Sequence, residues 1–279
     1  MNAAEFSALV FAGSLGAGFL GSLTGLGGGI IIVPLLTLVF GVDMRYAMGA
    51  SLISVIATSS GAASAYVREG YSNVRIGLFL EMATASGALM GAAAAMHVPT
   101  SALAVIFGIT LLWSAFGASA ADPACQSELP AGDSLGAWLR LNGSFPSNGA
   151  ACFYEARRVP LGFALMTAAG ALSGLLGIGS GAAKVLAMDR AMGLPFKVST
   201  TTSNFMIGVT AAASAGVYLV RGYISPGLAM PVMLGVLAGA LAGSKFLLRA
   251  RVSILRQVFR SVLLVLAAEM IWNGLSKRI

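Results

Sequence analysis

Charge is what this chain has least of. Asp, Glu, Lys and Arg make up 10% of 279 residues, against roughly a quarter in soluble domains, which excludes a water-soluble globule of this length. Histidine occurs once, as His97, and cysteine twice, as Cys125 and Cys152. Neither cysteine has a neighbour at metal-ligand spacing, and no apolar segment holds a nucleophile with a base. No metal, no cofactor and no enzymatic centre are therefore expected. Acidic residues are also fewer than basic ones, for a net charge of +7. The basic residues sit in short loops beside apolar segments, where they orient a membrane protein; nucleic acid is not expected as a partner.

What fills the chain is apolar. It is 57% hydrophobic, with a mean hydropathy of +0.87. Ten apolar stretches stand out: 5–22, 28–40, 46–67, 74–95, 100–118, 159–176, 180–192, 198–219, 226–248 and 253–274. Most reach the roughly 20 residues that a helix needs to cross a bilayer. An all-α polytopic membrane protein follows, with the lipid bilayer as its surroundings. The first stretch has no Lys or Arg before it and is interrupted by Gly13, Gly16 and Gly18, so it does not read as a cleaved signal.

The most informative motif is a glycine loop, Gly25-Leu26-Gly27-Gly28-Gly29, which recurs 152 positions later as Gly177-Ile178-Gly179-Ser180-Gly181. Laying 16–91 on 168–243 without a gap gives 19 identities in 76 positions, including Ser51/Ser203, Thr58/Thr210 and Tyr66/Tyr218. The chain thus divides into a first transmembrane repeat (1–118), a polar insert (119–158) and a second repeat (159–279). Counting outward from the basic loop 245–256 gives eleven Lys/Arg in loops on its side and four on the other. Positive loops stay inside, so two inverted-topology repeats are expected, with the insert cytoplasmic; its cysteines then read as two free thiols, with a disulfide as the alternative if the insert faces an oxidising compartment. Residues 28–40 span only about 20 Å as helix, too short to cross comfortably. Each repeat therefore reads as a glycine-kinked helical hairpin (5–40 and 159–192) followed by three membrane-spanning helices.

A helix that starts after such glycines points unpaired N–H groups, and the positive end of its dipole, at whatever fills the break. The alternative is that the glycines only let helices pack closely. The site candidates for a small anionic substrate are Gly25, Gly27, Gly28 and Gly29 with Ser51, and Gly177, Gly179, Ser180 and Gly181 with Thr202, Ser203 and Asn204. Ser51 and Ser203 are the first choices among the side chains, since hydroxyls suit an oxyanion without fixed charge. Lys184, three residues past the second loop, is expected to be paired, to snorkel or to neutralise the anion, and Glu81 is its candidate partner or a proton carrier. Asp43 and Glu269 fall near span ends and should be solvated, while Trp113 and Trp272 read as interface anchors. The pairs Gly87/Gly91 and Gly239/Gly243 read as internal helix contacts, with a homodimer face as the alternative.

The run Gly21-Ser22-Leu23-Thr24-Gly25-Leu26-Gly27-Gly28-Gly29, followed by Val33-Pro34 and by Ala47 to Ser51, resembles the signature of the sulfite exporter (TauE/SafE) family. The resemblance spans both repeats. It implies a bacterial-type inner-membrane transporter, an exporter of small sulfur-containing anions such as sulfite or organosulfonates, with site roles at the paired glycines and at Ser51 and Ser203. The second motif departs from it in Ser180, Leu186 and Lys184. An anion channel, or a transporter of a non-sulfur carboxylate or oxyanion, is the alternative.

Overall fold

The computed structural model describes residues 2–22, 28–68, 73–117, 133–147, 150–247 and 252–276. The first half comprises α1 (Ala3–Ser22), α2 (Gly29–Pro34) running on into a π turn (Leu35–Val39), α3 (Met44–Arg68), α4 (Val74–Ala95) and α5 (Thr100–Gly117). The insert holds α6 (Ser134–Trp138) and two antiparallel strands, β1 (Gly143–Ser147) and β2 (Ala150–Tyr154). The second half repeats the first: α7 (Val159–Leu176), α8 (Gly181–Leu186) with its π turn (Ala187–Ala191), α9 (Phe196–Val220), α10 (Pro226–Leu247) and α11 (Val252–Leu275). Five of these helices, α1, α4, α7, α9 and α10, are long and apolar enough to cross a membrane. The chain is an all-α membrane protein apart from the small strand pair, whose Gly-, Ser- and Ala-rich sequence carries no alternating pattern to announce it.

Local chemistry sets the helix ends. Asn73 caps α4, its Oδ1 accepting from the Ile76 N–H at 3.1 Å. Gly177 ends α7 at φ +68°, a conformation that costs glycine little, and its N–H donates to the Ser173 carbonyl. The two π turns lie 152 residues apart. Pro34 precedes one and Leu186 the other, so proline is not their cause.

Each short helix folds back along the one before it. The Phe6 ring meets Phe40 edge-on at 5.9 Å, which brings the end of the first π turn beside the start of α1. In the second half Arg157 N–H donates to the Met192 carbonyl at 3.0 Å. Both hairpins therefore return to the end from which they set out.

Helix pairing crosses between the halves. α4 packs along α7, and α1 along α10, at backbone distance. A Cβ built on Gly87 or Gly91 of α4, or on Gly170 or Gly174 of α7, would lie 2.0–2.1 Å from a carbonyl oxygen of the other helix. For Gly18 of α1 and Gly239 of α10 the corresponding distances are 2.3 and 2.0 Å. Gly87, Gly91 and Gly239 thus serve contacts inside the molecule. Two bundles result, α1–α2–α3–α10 and α4–α7–α8–α9, meeting along α3 and α9, with α5 packed on α11.

The insert docks on the second bundle. Asn73 Nδ2 donates to the Tyr154 hydroxyl at 2.8 Å, and Asp133 Oδ2 accepts from the Val159 N–H that opens α7. Burial pushes the Tyr154 phenol above its ordinary pKa, and the bond from Asn73 partly offsets that. Cys152 is buried on β2 and disulfide-bonded, which corrects the expectation of two free thiols. That expectation came from assumed sidedness alone. The chain's other cysteine, Cys125, lies outside the described residues.

Candidate functional site

Glycine placement builds the centre. Of the first break, Gly25 and Gly27 lie outside the described residues, while Gly28 and Gly29 open α2. The second break is described throughout: Gly177 and Gly179 have φ of +68° and +74°, and Ser180, with φ +43°, leads into Gly181 at the first turn of α8. Residues 177–181 are all buried. Yet the amide N–H groups of Ile178, Gly179 and Ser180 meet no backbone acceptor among the described residues.

The two breaks come together. A Cβ on Gly29 would lie 3.7 Å from the Ile178 carbonyl oxygen, across the boundary between the halves. Val55 of α3 touches both breaks, 2.6 Å from the Gly29 Cβ position and 3.2 Å from that of Gly179. Ile207, at the repeat position of Val55, packs on Gly179 and Gly181. Close packing and convergence therefore coexist here, and the glycines serve both.

The hydroxyls divide by role. Ser51 Oγ donates to the Gly29 carbonyl and Ser203 Oγ to the Gly181 carbonyl, each at 3.2 Å. The pair thus ties each spanning helix to the first residue of a short helix, and in this conformation their hydrogens are spent on backbone. Ser180 Oγ likewise donates to the Ala169 carbonyl at 2.7 Å. Thr202 faces the α3–α4 connection, where its Oγ1 accepts from the Asn73 N–H at 3.1 Å. Asn204 is half-buried on α9. Thr200, which sequence reasoning had not singled out, has a buried Oγ1 with no partner among the described residues.

Lys184 and Glu81 meet through a third residue. Lys184 is fully buried and its Nζ donates to Thr210 Oγ1 at 2.5 Å; Thr210 Oγ1 lies 2.7 Å from Glu81 Oε1 and 3.4 Å from Thr84 Oγ1. Glu81 is also buried, and its Oε2 has no partner among the described residues. Thr210 was visible only as an identity between the repeats; no spacing along the chain reveals that it bridges α4 and α8. Asp43 and Glu269 are exposed, as are Trp113 and Trp272. No cluster of three or more His, Cys, Asp or Glu suited to a metal occurs among the described residues.

Comparison with known proteins decides the class. The family model for sulfite exporter TauE/SafE matches residues 10–270, nearly the whole chain. The chain belongs to the TauE/SafE family. Among its relatives are two proteins of Bacillus subtilis (strain 168): probable membrane transporter protein YunE, 26% identical over 97% of this chain and 99% of that protein, and probable membrane transporter protein YdhB, 28% identical over 82% and 84%. Probable membrane transporter protein ORF9 of Sinorhizobium sp is 24% identical over 95% and 92%. No solved structure matches the chain. A TauE/SafE chain with several apolar helices is a multi-pass membrane transporter.

Proposed function

We propose that the protein is a secondary transporter, working as an exporter, for small sulfur-containing anions such as sulfite or organosulfonates in a bacterial-type inner membrane. The anion is held where the two glycine breaks meet, and transport proceeds by alternating access. The observation that carries this reading is the approach of Gly29 to Ile178 beside buried amide N–H groups that have no backbone acceptor among the described residues. Buried donors of that kind are costly unless a ligand or water takes them up. Two helix starts from opposite sides would add their dipoles at one spot.

The inverted arrangement of the repeats is supported by contacts at both ends of the molecule. Arg45, at the start of α3, donates to the Val98 carbonyl between α4 and α5, and the Tyr46 ring meets Tyr223 after α9. At the other end, Asn73 before α4 meets Thr202 near the start of α9, and the insert. α3 and α9 therefore run in opposite directions, and the two hairpins enter from opposite faces. The Lys/Arg count supports an inside position for the insert face. The disulfide at Cys152 argues the other way, because reduced thiols are the rule in cytosol. The charge count rests on many loops and the disulfide on one bond, so we place the insert in the cytoplasm.

Reconstitution tests the reading. Proteoliposomes loaded with sulfite, thiosulfate, sulfoacetate, taurine, methanesulfonate or sulfate, with acetate as control, should show saturable flux and trans-stimulated counterflow for a sulfur anion. Linear flux without counterflow would make the protein a channel. Preference for acetate would remove the sulfur assignment.

A further inference from the structure

The halves differ most in one polar cluster. At the repeat offset, Lys184 answers to Ile32, Glu81 to Met233 and Thr84 to Val236, and only Thr210 keeps its type, as Thr58. The α4–α8–α9 side therefore buries an ammonium and a carboxylate joined through the Thr210 hydroxyl, where the α10–α2–α3 side buries Ile32 and Val236 and half-buries Met233. Lys184 lies within one turn of the second break, on the short helix that opens at Gly181. The groups facing Glu81 are few: Lys184 from α8, Thr210 from α9 and Thr84 from its own helix, while α7 carries no titratable residue. Lys184 in turn faces Glu81 as its charged neighbour.

Charges this deep must sum to about zero, because an uncompensated buried charge costs several kcal/mol. With the site empty, Lys184 and Glu81 cancel. An anion at the break would leave the bundle one charge short, unless the carboxylate were neutralised.

Resting on the anion reading above, we propose that Glu81 couples transport to protons: it takes one proton on Oε2, which has no partner among the described residues, as a monoanion arrives, and Lys184 then compensates the anion. An O–H bond forms on Glu81 from a solution proton, Lys184 stays an ammonium throughout, and the bundle is neutral in both states. Proton and anion leave together, so the cycle is electroneutral. Thr210 holds the two groups in line through either state, accepting from Lys184 and giving its own hydrogen to the carboxylate or to the Met206 carbonyl.

The test uses the full chain in proteoliposomes with radiolabelled methanesulfonate, a monoanion at every working pH, and a potassium–valinomycin clamp. A gradient of one pH unit should drive accumulation of about tenfold, the factor one pH unit is worth, with no response to membrane potential. Glu81→Gln should bring the accumulation ratio to one at whatever exchange rate remains. The double variant Glu81→Met with Lys184→Ile copies the protein's own other half and removes both charges at once. It should fold with a thermal midpoint near that of the wild type and lose methanesulfonate binding. Counterflow in the wild type without gradient-driven accumulation overturns the coupling alone, as does a Glu81→Gln protein that accumulates like the wild type. A double variant that still accumulates also overturns it. Absence of counterflow for every anion tried overturns the transport reading and the coupling with it.

Discussion

Gly29 and Gly181 each open a six-residue helix and each receive a serine hydroxyl on their carbonyl oxygen. Such a bond is worth about 1 kcal/mol net, so the serines matter more for where they hold α2 and α8 than for stability. The sequence made Ser51 and Ser203 legible through the repeat, but which atom takes each hydrogen depends on packing that no spacing reveals. A Cβ at Gly29 would press on Val55 Cγ2 at 2.6 Å and on Ser51 Oγ at 2.8 Å. Gly29→Ala should therefore lower stability by about 1–3 kcal/mol through overpacking and abolish counterflow. Adding Val55→Ala makes room and should return most of the thermal midpoint. If the glycine serves the anion, counterflow in the double variant stays below about a tenth of wild type, a loss of some 1.4 kcal/mol in effective binding. Recovery of flux together with stability would assign Gly29 to packing alone.

The hairpins are the element on which the architecture turns. α7, at 18 residues, is about 27 Å long, while α8 and its π turn together cover 11 residues, or about 16 Å. The short arm cannot cross alone, and the Arg157–Met192 bond shows it returning to the start of α7. This shape was readable in advance, because glycine density, arm length and the repeat all agreed. The pairing of α4 with α7 and of α1 with α10 was not, since small residues report that a helix has a close neighbour without saying which one. Opposite entry of the two hairpins can be checked directly. In a Cys125→Ser/Cys152→Ser background, Asp43→Cys and Arg190→Cys place exposed thiols just beyond the first hairpin and at the end of the second. In oriented cells a membrane-impermeant maleimide should label Asp43→Cys from outside and reach Arg190→Cys only after lysis. Labelling of both from one side would mean parallel repeats.

At the scale of the whole molecule, two repeats of like element order are combined with a buried charged cluster that the second break alone carries among the described residues. Composition and hydropathy sufficed for the class, and the resemblance carried by the run Gly21–Gly29 for the family. The Thr210 bridge lay beyond them, because it joins residues 129 positions apart, and so did the insert's strand pair, a local hairpin whose sequence carries no alternating pattern. The central claim concerns donors from two hairpins on a single ligand, and backbone exchange reports on those donors themselves. Hydrogen–deuterium exchange of the purified protein should be followed through peptides covering 28–33 and 178–184 as sulfite or methanesulfonate is added. The account predicts that both segments slow together, with the same half-saturating concentration, while the α5–α11 pair is unchanged. Unaltered exchange at the breaks under saturating anion, or protection of one break without the other, would contradict it.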